Sequence, residues 1–232
     1  MLKRSILAVL CGLVAASAPA QEKVSGNGLA YLIVFPDYPI RISGFESRSL
    51  GHAGVLLISK TGLTKYYEYG RYSPEGKKGL ARKSVKRLSN VQMADGKPTI
   101  KSLKTVMREI SALPSAVSKD LKPMDIRAAQ FLHVDFDKMK AFAETWIQWT
   151  TKSHPQYSSK RTLYAPTSWN CGHFAVAVLS QGNSRIDHPK ILDPRPRNFV
   201  DEYIEEKNAE VLYSVKSDKL TVGKGDESDA KK

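Results

Sequence analysis

Cysteine is nearly missing from this chain: two in 232 residues, Cys11 and Cys171. A disulfide-dense scaffold is therefore excluded, and a chain this long can hold its core without staples. No Cys/His spacing typical of a zinc site occurs, and no aromatic residues interleave the basic ones, so nucleic acid is not an expected partner. The apolar run from Ile6 to Ala16 is too short for a comfortable membrane span. There is no internal repeat and no clear domain boundary. What remains, 41% hydrophobic and 25% charged residues, is the composition of one globular domain with elaborations.

The first twenty residues, MLKRSILAVLCGLVAASAPA, join Lys3 and Arg4 to that apolar run and close on Ala18-Pro19-Ala20. This is the pattern of a secretory signal peptide cut after Ala20, so residues 1–20 are expected to leave an exported chain, periplasmic or secreted. Leu10 stands where a lipoprotein would carry a small residue before Cys11. Cleavage removes Cys11 and leaves Cys171 alone. In an oxidising compartment such a thiol is either buried or used. The formal charge of +13 suits peptidoglycan or another anionic cell-envelope substrate. Its densest stretches, Lys77-Lys78, Arg82-Lys83 and Lys86-Arg87, read as a solvated face.

Strands are predicted at Leu29–Phe35 and Gly51–Ser59, with a third from Leu63 to Tyr69 joined to the second by Lys60-Thr61-Gly62. Residues 73–98 read as an exposed excursion. Ile100, Leu103, Val106, Met107 and Ile110 then fall at helical spacing. Another strand is expected at Gln130–Phe136, followed by an amphipathic helix carrying Phe136, Met139, Phe142, Ala143, Trp146 and Trp149. His154 to Thr167 reads as a polar loop, Asn198 to Lys207 as a helix and Glu210 to Val215 as a strand. One domain is expected over 21–215, with an insert at about 73–125 and a disordered tail at 216–232.

The chemistry concentrates in SWNCGHFAVAVL, residues 168–179. Phe174, Ala175, Val178 and Leu179 give a helix with a buried face, and Gly182 stops it. Asn170 is a good N-cap, which puts Cys171 in the first turn. The unpaired amides there carry partial positive charge, stabilise a thiolate and offer donors for an oxyanion. A nucleophilic thiol also needs a base. His173 lies two residues along the same helix and does not face Cys171. His154 and His188 each precede a proline in a loop, and His133 is a second candidate on a strand. His52 is the first candidate: it begins an apolar strand between Gly51 and Gly54, across the short hairpin from Tyr66-Tyr67-Glu68-Tyr69. Glu68 would fix the imidazole tautomer if it reaches the second ring nitrogen. Otherwise His52 is a structural histidine and Glu68 an exposed strand carboxylate.

His and an acidic residue on successive strands, with Cys much later at a helix start, resembles the circularly permuted NlpC/P60 cysteine hydrolases. Asn170-Cys171-Gly172-His173-Phe174 is similar to the NCEHF segment of the lecithin:retinol acyltransferase-like branch, with Gly172 in place of Glu, and Gly51-His52-Ala53-Gly54 resembles the histidine strand. The resemblance spans about residues 29–70 and 160–182. It implies a papain-like α+β fold, an antiparallel sheet packed against the nucleophile helix, with a helical insert. It also implies Cys171 as nucleophile, His52 as base and Glu68 as third member, with no cofactor and no metal. The expected activity is hydrolysis of an amide bond in peptidoglycan peptides, with an antibacterial effector as one biological form of it. Lipid deacylation or acyl transfer by the same residues, and a non-catalytic cell-wall-binding module, are the alternatives.

Overall fold

A computed structural model describes residues 26–40, 48–72, 79–114, 121–151, 169–183, 185–187, 195–206 and 208–223. The expected signal peptide, Cys11, His154, His188 and the polar loop ending at Thr167 lie outside them.

Two strands form the middle of the molecule: β1, Gly28–Phe35, and β4, His52–Ser59. GLAYLIVF and HAGVLLIS are apolar on both pleat faces, the pattern of strands covered from both sides. The pair runs antiparallel from Gly28↔Ser59 to Phe35↔His52. β2 (Pro39–Ile40) and β3 (Arg48–Ser49) form a minor ladder between them in sequence. β5, Thr64–Gly70, returns beside β4 through Lys60-Thr61-Gly62. Gly62 holds φ at 86° there, and an added Cβ would lie 2.1 Å from the Val91 carbonyl oxygen. Only glycine suits both conditions.

β6, Leu80–Lys83, pairs with β5 at one edge of the main sheet. Beyond it, β7 (Met93–Ala94) and β8 (Lys97–Pro98) make a small hairpin. Over its described part, 79–98, the expected exposed excursion is corrected in one respect: most of its residues are exposed, but it supplies a strand of the main sheet and is anchored inward. Leu88 and Val91 are buried, and the Val91 amide donates to the Gly62 carbonyl at 2.9 Å. Helix α1, Ile100–Ser111, follows with Leu103, Val106, Met107 and Ile110 inward; Ile100, read as part of that stripe, is 57% exposed.

The next strand, β9, spans Ile126–Val134, so it begins four residues before the expected Gln130. Phe136 belongs instead to helix α2, Phe136–Thr150, capped by Asp135. His133 sits on a β-bulge of β9 with φ at 55°, where its side chain is exposed. Helix α3 covers Cys171–Gly182 and α4 covers Pro196–Glu205. β10, Ala209–Ser214, pairs with β9, and β11, Lys219–Val222, pairs with β10. Over the described part of the tail expected to be disordered from Lys216, residues 216–223, that strand is a correction: Lys219–Val222 pair with β10 despite the charge around them. Residues 224–232 lie outside the described residues.

The seven-stranded sheet runs β11-β10-β9-β1-β4-β5-β6, antiparallel at every pairing. One face, with Leu32, Val34, Val55 and Leu57, packs on α2, α3 and α4. The other, with Tyr31, Ile33, Leu56 and Ile58, packs on α1 and Leu88. Helix α3 is buried almost all round, consistent with its apolar run. Each of its fully enclosed Phe174, Val178 and Leu179 side chains contributes about 1.5–3 kcal/mol by leaving water. Among the described residues no helix is long and apolar enough to cross a membrane.

Candidate active site

Strand register assembles the first part of the site. Glu68 lies directly opposite Gly54 on β4 and opposite Arg82 on β6. Side chains two residues apart share a pleat face, so His52 and Glu68 are diagonal neighbours on one face. Gly54 leaves room there: an added Cβ would fall 2.3 Å from the Tyr66 hydroxyl oxygen. Glu68 Oε2 lies 2.8 Å from His52 Nε2, while Glu68 Oε1 accepts from Arg82 Nε at 2.6 Å and pairs with its Nη2 at 2.6 Å. Glu68 is 5% exposed and His52 6%. The exposed-glutamate alternative therefore does not describe this carboxylate.

Helix α3 supplies the sulfur. Asn170 has extended backbone, and its Oδ1 accepts from the amides of Gly172 at 2.8 Å and His173 at 3.2 Å. The His173 ring returns toward the Asn170 amide, closing a capping box. His173 is thereby committed to the cap and to a ring contact with Phe199, 5.1 Å between centroids. Cys171 follows the cap, fully buried, and hydrogen-bonds to His52. Since Nε2 is engaged by Glu68, Nδ1 is the ring nitrogen left for the sulfur.

Burial by itself would drive the proton off His52. The charge of Cys171 and its hydrogen bond, followed by the bond and charge of Glu68, outweigh burial and push the His52 pKa up to about 10. Burial likewise opposes ionisation of Glu68, but the His52 hydrogen bond and the His52 and Arg82 charges hold it below its usual range. The arrangement alternates in sign from sulfur to guanidinium and can carry a thiolate, an imidazolium and a carboxylate together.

Three further side chains enclose the imidazole, and sequence reasoning missed them together with Arg82. Tyr72 brings its hydroxyl to 3.0 Å from His52 Nε2, Phe35 stacks at 6.1 Å between centroids, and Tyr38 lies tilted at 5.0 Å. Arg82 stands in a stretch read as solvated basic surface, and only its pairing opposite Glu68 reveals its task. Phe35 was legible as a β1 residue but carries no sequence mark of a site.

A family profile for TseH-like type VI secretion system effectors matches residues 30–187. The chain belongs to this TseH-like effector family. The match includes His52, Glu68, Arg82 and Cys171. A crystal structure of the type VI secretion system effector TseH is similar at 28% identity, with a TM-score of 0.66, covering 86% of this chain and 100% of that one. No curated protein matches. Membership in the TseH-like family makes the protein a member of a group of secreted effectors.

Proposed function

We propose that this TseH-like effector is a cysteine hydrolase of papain-like, permuted NlpC/P60 architecture that cleaves an amide bond in peptidoglycan peptides. The observation carrying the reading is the buried hydrogen bond of Cys171, at a capped helix start, with the His52 imidazole, whose Nε2 meets Glu68. A sulfur, a base and an orienting carboxylate in series are the parts an acyl-transfer nucleophile requires.

The Cys171 thiolate attacks the carbonyl carbon, and the carbonyl π electrons move onto oxygen. His52 then gives its proton to the leaving amine as the C–N bond breaks, leaving a thioester. Water attacks that thioester, His52 takes a proton from it, and the C–S bond breaks to release the acid. Glu68 holds Nε2–H throughout and stabilises the imidazolium. The Asn170 side chain occupies the Gly172 and His173 amides, so these two first-turn donors serve the cap rather than an oxyanion.

Purified muropeptides test this directly, with acyl lipids assayed alongside for the deacylase alternative. Cys171→Ala should keep the melting temperature within a few degrees and abolish muropeptide cleavage and toxicity on periplasmic expression. Cleavage unchanged in that variant refutes the assignment, and lipid turnover without muropeptide cleavage favours the deacylase.

A further inference from the structure

Both groups that meet His52 Nε2 are held by one side chain. Glu68 Oε2 lies 2.8 Å from that nitrogen and the Tyr72 hydroxyl 3.0 Å from it. On the far side of Glu68, Arg82 places Nε and Nη2 on Oε1, each at 2.6 Å. The same guanidinium carbon sits 3.3 Å from the centroid of the Tyr72 ring. A planar guanidinium can fork onto a carboxylate along its edge and stack on an aromatic face at once, and an ammonium cannot.

We infer that Arg82 is a positioning residue, clamping Glu68 by its forked edge and Tyr72 by its face so that His52 keeps Nδ1 toward Cys171. This deepens the hydrolase reading and rests on it. Arg82 touches neither the sulfur nor the reacting bond, and its effect reaches the chemistry only through the two Nε2 partners.

The placement argues against a purely structural ion pair. Arg82 comes from an edge strand of four residues, yet its side chain is only 20% exposed and turned along the sheet to the carboxylate. A pair serving stability alone would leave Tyr72 without a reason to meet both the guanidinium and the imidazole. Burial works against the Arg82 charge, while Tyr72 and Glu68 outweigh that and raise its pKa, so the clamp stays cationic. The imidazole itself has few other restraints: Phe35 stacks on it and Tyr38 leans on it, and neither contact fixes which nitrogen faces the sulfur.

The test is Arg82→Lys in the full chain, which keeps the charge and removes the fork and the stack. Proton–nitrogen NMR of the His52 ring, which needs no substrate, should show the imidazolium titrating at lower pH than in the parent and its Nε2 proton exchanging faster with water. With muropeptide as substrate, kcat should fall on the order of 100-fold, the scale of a misplaced reactive group, while KM changes less than about 2-fold. If Arg82→Lys does not fold, Tyr72→Leu decides the matter: it leaves all charges in place, removes the stack, and should move the His52 titration the same way. An unchanged titration and Nε2 proton in a folded Arg82→Lys or Tyr72→Leu protein overturns the clamp. Failure of the hydrolase reading would instead appear as muropeptides left intact by the parent protein, with the NMR response of the variants still present.

Discussion

Replacing Glu68 by glutamine isolates what the carboxylate charge does for the imidazole. The substitution keeps the size and an acceptor atom but turns a charge-assisted hydrogen bond into a neutral one. Bonds to charged groups are worth about 1.5–3 kcal/mol, and one pKa step corresponds to about 1.4 kcal/mol. Removing most of that contribution lowers the His52 pKa by about 1–2 units, from the elevated position near 10. Cys171 still holds the proton from the other nitrogen, so the fall stops well above an ordinary histidine. The alkaline limb of the proposed muropeptide cleavage, set by loss of the imidazolium proton, should move down by the same amount. Stability also falls, because Arg82 loses its anionic partner. Breaking a buried pair costs about 3–5 kcal/mol, and the partial exposure of Arg82 places this case at the low end, about 3 kcal/mol. NMR titration of the His52 ring measures the first effect and urea unfolding the second. A folded Glu68→Gln protein whose His52 titrates as in the parent would show that Glu68 does not act on the imidazole.

Other substitutions probe the scaffold around that pair. Asn170→Ala removes the acceptor for two first-turn amides and should cost about 1–2 kcal/mol in urea unfolding; a loss under 0.3 kcal/mol would mean the cap does not hold the helix start. Gly54→Ala sets a methyl against the buried Tyr66 ring, so about 1–3 kcal/mol of stability should go; an unchanged melting temperature would show that Tyr66 moves aside freely. The pH dependence of stability is two-sided. The raised His52 pKa stabilises fully below about 6.5 and is lost as pH climbs toward 10. The lowered Glu68 pKa stabilises above about 4.5 and is lost as pH falls below it. Glu68→Gln should flatten the acid side of the unfolding profile, and an acid slope identical to the parent's would place the responsible carboxylate elsewhere.

The strands β1, β4 and β5 were legible because unbroken apolar runs and a short Gly-containing turn leave few other folds. Helices α2 and α3 were legible from aromatic spacing and from Asn170. What the sequence hid was pairing. Arg82 lies in LARK, four residues that look like basic surface, and only its position opposite Glu68 makes it part of the site. β9 begins before the expected Gln130, across Arg127, whose charge breaks its apolar run. That arginine is neutralised by Asp201 and Glu210, which come from α4 and β10 far along the chain. β11 was missed since a charged tail carries no strand signal, and its Asp218 turn is tied to Lys104 and Arg108 on α1. Tyr72 likewise reads as an ordinary loop aromatic until its distance to His52 is known.

The row from β4 through β5 to β6 gives the protein a built-in delay. Sulfur, imidazole, carboxylate and guanidinium come from four stretches of chain, and three of them line up only when two strand pairings are in register. A slip of one residue in either pairing turns a member of the row to the opposite side of the sheet. For the proposed hydrolase, a newly made or unfolded chain therefore carries an ordinary thiol, and the power to attack proposed for it requires both pairings at once.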